Sequence, residues 1–183
     1  MGYEAALKKA WEDLANQKAP KNLSVKFMGD EYSADAISRR ILSLSCNAPA
    51  KDFLAILILH YLAQKLKGLP EPRGQWLTFR EFSGIEGYYD AYHKRSIEPI
   101  IRKYGRNPDA IKDVLSRLPG RISEGGDVSI VIDAFENVPV LIKLWKQDTE
   151  FGPDANIYFD ATIKNIFCIE DIVVLAQMVS SQL

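Results

Sequence analysis

Asp127-Val128-Ser129-Ile130-Val131-Ile132-Asp133-Ala134, then Phe135-Glu136-Asn137, then Val138-Pro139-Val140-Leu141-Ile142-Lys143-Leu144-Trp145-Lys146 is the stretch that decides the fold. Two strand-like runs, Asp127 to Ala134 and Val138 to Lys146, stand three residues apart. A connection that short reads as a hairpin, and a hairpin is antiparallel.

Outward from this pair, helical and strand patterns do not alternate regularly. On the N-terminal side, Asn107-Pro108 reads as a cap and first-turn proline opening a helix that ends near Pro119-Gly120. Tyr89 to Tyr104 reads as a helix interrupted near Pro99, and Trp76 to Phe82 as a short strand. Ala50 to Lys67 is a central helix stopped by Gly68. Earlier still, Leu23 to Phe27 alternates with period two, Gly29-Asp30 reads as a turn, Glu31 to Ala36 as the returning strand and Arg40 to Leu44 as a third. Tyr3 to Gln17 carries the stripe of an amphipathic helix. On the C-terminal side, Phe151 to Asn156 reads as a loop, Ile157 to Phe159 as a short strand and Ile169 to Ser181 as the last helix. The expectation is one α+β domain over residues 1–183: an antiparallel sheet with a buried central helix and flanking helices.

Composition bounds the rest. The chain has 183 residues, 47% hydrophobic and 26% charged, enough to bury a core without disulfides or metal. Its net charge of −1 lacks the basic excess that duplex nucleic acid demands, so no nucleic-acid partner is expected. Cys46 and Cys168 stand far apart, which excludes a cysteine-only zinc or iron–sulfur site and fits a reducing, cytoplasmic setting. The longest apolar run, Phe53 to Ala63, falls short of the roughly 20 residues that span a bilayer, so no membrane partner is expected.

No dinucleotide fingerprint, phosphate loop or nucleophile elbow occurs in the chain. Asp148, Glu150, Asp154 and Asn156 have roughly the spacing of a calcium loop. The glycine falls one place early, however, and Phe159 replaces the closing glutamate. No metal is expected there, and the segment reads as a solvated loop whose aspartates cap turns. The segment Trp76 to Arg95 holds aromatics, two glycines and a basic end. It reads as aromatics packed into the core, or as the wall of a small-molecule pocket. His60 lies in an apolar helix, where its ring nitrogens need a carbonyl or carboxylate partner, or serve as an axial ligand to a tetrapyrrole.

Leu57-Ile58-Leu59-His60-Tyr61-Leu62, Gly74 through Gly84, and the run Leu144-Trp145 to Phe159-Asp160 carry a resemblance as an ordered set. Together they resemble an uncharacterised prokaryotic family, catalogued as a domain of unknown function and found mainly in anaerobic bacteria and archaea. The family resemblance implies an anaerobe's cytoplasm and tetrapyrrole or redox metabolism, with no known activity. Some relatives carry an N-terminal iron–sulfur domain with four clustered cysteines, which this chain lacks.

Three functional readings follow. The first is an accessory protein holding a small molecule or cofactor, a tetrapyrrole among the candidates. The second is an enzyme using an arginine and carboxylates, and the third a protein-interaction module. The candidate ligand-binding residues are Trp76, Arg80, Glu81, Tyr88, Tyr89, His93, Asp148, Glu150 and Asp160, with His60 as the candidate axial ligand. Arg80, Glu81, Asp148, Glu150 and Asp160 are expected to share one neighbourhood.

Overall fold

In a computed structural model, which describes residues 2–183, the chain opens with helix α1 (Glu4–Asn16). It buries Ala10, Trp11 and Leu14 from the expected stripe. Strands β1 (Asn22–Phe27), β2 (Asp30–Asp35), β3 (Arg40–Ser43) and β4 (Ala48–Pro49) then form an antiparallel meander in sequence order. The β1–β2 turn is Met28-Gly29, one place before the expected Gly29-Asp30, since Phe27 already pairs with Asp30. Both turn residues are left-handed, with φ of 50° and 87°. That twist matches the flanking strands, and glycine enters it without steric cost.

Helix α2 (Asp52–Lys67) is apolar nearly all round and buries Leu54 to Leu59 and Tyr61 to Ala63. Full burial of such a side chain stabilises by about 1.5–3 kcal/mol, so α2 is the central helix that the sequence promised. It packs between α1 and the last helix, α5 (Ile169–Gln182). It also reaches the second sheet, where Tyr61 stacks on Phe135 at 4.3 Å and donates its hydroxyl to the Glu136 carbonyl at 3.2 Å.

That second sheet holds β5 (Trp76–Thr78), β6 (Gly120–Ser123), β7 (Val128–Phe135), β8 (Val138–Trp145) and β9 (Asp154–Asp160) in the order β5-β9-β8-β7-β6, all antiparallel. The β7–β8 hairpin is as expected, with Ile130 opposite Ile142 and Val131 opposite Leu141. The Met28 N–H donates to the Ala134 carbonyl at 2.8 Å and ties the meander to this sheet. Buried residues from both sheets join in one continuous core.

Four local expectations change. The strand begun at Trp76 stops at Thr78, where Phe79–Glu81 tightens into a 3₁₀ turn. The Thr78 N–H and hydroxyl both donate to Glu81 Oε2, at 2.7 and 2.9 Å, and that bond bends the chain. Pro108–Ser116 is 3₁₀ rather than α-helical. Strand β6 is too short to announce itself in the sequence. It pairs Gly120 against Ile132, where a side chain on residue 120 would meet the Val131 carbonyl at 2.2 Å. Strand β9 starts at Asp154, drawing Asp154 to Asn156 out of the expected loop and into the sheet.

Between α3 (Tyr89–Tyr92) and α4 (Glu98–Tyr104) the helix widens into a π turn, His93–Ile97. Pro99 has no N–H to give the carbonyl four residues back, so the bonding register slips there.

Candidate functional site

The 3₁₀ turn after β5, the helix through the π turn and the start of β9 enclose a cleft of about 340 Å³. Thr78, Arg80, Tyr89, Tyr92, His93, Asp154 and Asn156 line it. Arg80 donates from Nε to the Tyr89 hydroxyl at 2.8 Å, and its guanidinium carbon sits 4.6 Å from the centre of the Tyr89 ring. The tyrosine holds the Nε end of the guanidinium, and the outer nitrogens make no hydrogen bond among the described residues. Tyr92 stacks on Phe79 at 4.1 Å. Its hydroxyl is buried without a hydrogen-bond partner among the described residues, and burial pushes its pKa up. His93 lies on the π turn, with Nδ1 3.5 Å from Glu98 Oε1.

Of the residues singled out in the sequence, Arg80, Tyr89 and His93 meet here. Tyr88 turns away and donates to Glu170 at 2.6 Å. Trp76 pairs across the sheet with Asp160 and does not line the cleft.

Arg80 was expected to share one neighbourhood with Glu81, Asp148, Glu150 and Asp160. No ion pair joins Arg80 to a carboxylate among the described residues. Glu81, Asp148 and Asp160 are each engaged by other donors. Glu81 caps Thr78, and Asp148 accepts the N–H groups of Glu150 and Phe151 at 2.8 and 2.6 Å. Asp160 is 2% exposed and accepts from the N–H groups of Arg73, Gly74 and Thr162 and from the Thr162 hydroxyl. Burial raises its pKa, but those bonds more than offset it and hold the carboxyl below its ordinary value. Backbone donors in the same turn cost less order than a long arginine side chain would.

Asp154 and Asn156, read as parts of a solvated loop with roughly the spacing of a calcium site, line the cleft. Their alternation along β9 was the signal, hidden by the polar residues before Ile157.

His60 lies elsewhere, on a groove of about 500 Å³ between α1, α2 and the start of α5. Its Nδ1 bonds Asp171 Oδ2 at 2.8 Å, and the thiol of Cys168 donates to the same oxygen at 3.2 Å. The Asp171 bond raises the imidazole pKa, and burial offsets part of that rise. Cys168 is an exposed residue whose thiol turns toward Asp171. Burial, with the added effect of that carboxylate, pushes the thiol up to about 12.

The family model described as a domain of unknown function, DUF3786, matches residues 7–182. The chain belongs to that family. No curated protein and no solved structure matches it. The DUF3786 match runs across every element that builds the cleft and the His60 groove. Among the described residues, no helix is long and apolar enough to cross a membrane, and no group of three or more His, Cys, Asp or Glu is arranged to hold a metal ion.

Proposed function

We propose that this chain is a small-molecule-binding protein whose cleft takes a compact organic acid, with the ligand's carboxylate on the outer nitrogens of Arg80. Arg80, fixed on Tyr89 in a polar cleft, carries the reading. Arg80 is preorganised by Tyr89, so little order is lost when it grips an anion. The π turn supports the same reading, because such turns recur where a helix serves a site.

The cleft lies at the small end of the roughly 300–1,000 Å³ range of ligand pockets, and its lining is largely polar. Both features favour a small acid over a tetrapyrrole, which is a broad apolar disc. The groove at His60 mixes the amides and charges of Asp13, Asn16, Gln17, Gln64 and Lys67 with the apolar side chains of Ala63 and Ile166. We read the whole chain as one domain, because both sheets feed one core.

The test is a calorimetric titration of the protein with a panel of small mono- and dicarboxylates. At least one should bind, and Arg80→Gln should lower its affinity about tenfold or more, the value of a charge-assisted bond. A protein that binds none of the panel, or an Arg80→Gln variant that binds as well as wild type, refutes the reading. Haem and cobalamin titrations should give no spectral change.

A further inference from the structure

The groove between α1, α2 and α5 has chemistry that the cleft does not use. Asp171 is 6% exposed and fixes His60 by a 2.8 Å bond to Nδ1. That bond sets the tautomer, placing the proton on Nδ1 and the lone pair on Nε2. The Cys168 thiol bonds the same carboxylate oxygen, so it sits on the Asp171 side of the ring and not at Nε2. A thiol held as high as this one is also no nucleophile at neutral pH. Gln17 also lines the groove, with its Oε1 buried behind the surface. The Nε2 lone pair of a part-exposed imidazole lining the groove suits a water molecule, which can donate a hydrogen to it.

We propose that His60 and Asp171 form a general-base site that hydrolyses small acyl esters. Water gives a proton to His60 Nε2 as its oxygen bonds to the acyl carbon. Asp171 stabilises the imidazolium that results. The tetrahedral intermediate collapses with cleavage of the ester C–O bond. His60 returns the proton to the departing alkoxide, so a carboxylic acid and an alcohol leave and the protein is unchanged. The Lys67 ammonium and the Gln64 amide line the same groove and are the donors available to the oxyanion. The charged and titratable groups around His60 are Lys9 and Asp13 on α1, Lys67 on α2, and Cys168 and Asp171 at the start of α5.

The test is hydrolysis of p-nitrophenyl acetate by the full chain, followed from pH 5 to 9. The wild type should exceed the buffer rate, saturate, and lose activity on the acid side as His60 takes its proton. His60→Gln should lower the rate by roughly 10²–10⁴-fold, the range of general-base catalysis. Asp171→Asn should lower it too and move the acid limb to lower pH, since the raised imidazole pKa depends on that carboxylate. Cys46→Ala removes a surface thiol near β4 and should leave the rate unchanged. Should Asp171→Asn fail to fold, nitrogen-15 NMR of the wild-type imidazole still reads whether the proton sits on Nδ1. A wild-type rate equal to that of His60→Gln overturns the proposal, as does a proton found on Nε2 in the neutral ring.

Discussion

Arg80 bonds Tyr89 in the wall of the cleft and forms no ion pair with a carboxylate among the described residues. The arginine is exposed, so it stabilises little by itself. Arg80→Ala should change folding stability by no more than about 0.5 kcal/mol in urea denaturation. A loss near 3–5 kcal/mol is the mark of a broken buried ion pair and would contradict this arrangement.

Asp160 is the opposite case, a buried acid that holds the Arg73–Gly74 loop and the turn after β9 together. Asp160→Ala strands those N–H groups and should cost about 2–3 kcal/mol or more. Its folded pKa lies below its unfolded value. The stability it contributes is therefore full above the unfolded value of 3.8 and fades as pH falls through the folded one. Asp160→Asn should flatten that part of the acid-unfolding curve.

Tyr61 and Phe135 join α2 to the β7–β8 hairpin. Tyr61→Ala should cost about 3–5 kcal/mol, since the ring is fully buried. Tyr61→Phe removes only the bond to the Glu136 carbonyl and should cost about 0.5–1.5 kcal/mol. Equal losses for the two variants would mean that the stacked ring contributes nothing.

The His60–Asp171 pair makes stability depend on pH near neutrality. The folded state raises the imidazole pKa above its ordinary 6.5. Its contribution is thus full below that value and is lost as pH rises through the folded pKa. Melting temperatures from pH 5.5 to 8.5 should show this decline in the wild type and less of it in His60→Gln. A wild-type curve parallel to that of the variant would disprove the linkage.

Cys168 should alkylate slowly despite its exposure. Moving a thiol from 9.0 to about 12 lowers its thiolate fraction about 1,000-fold at pH 8. Iodoacetamide labelling followed by mass spectrometry, with the exposed Cys46 as internal reference, reads this directly. Labelling of Cys168 at the rate of Cys46 would show that burial and Asp171 do not hold the thiol protonated.

The sequence by itself determined the α+β class, the β7–β8 hairpin, the α1 stripe and the burial of α2. Each rests on local periodicity or a short connection, and neighbours in sequence decide those. It also determined that Arg80, Tyr89 and His93 belong to one polar, aromatic segment. Only tertiary structure decided where they face. Glu81, Asp148 and Asp160 looked like partners for Arg80 because opposite charges stood in segments that the fold would bring near. Each instead took backbone donors, which were closer and required less ordering of side chains. His60 and Asp171 lie 111 residues apart, and no periodicity links them. Their meeting depends on how α2 and α5 pack, which is set by the sum of many buried contacts rather than by any local pattern.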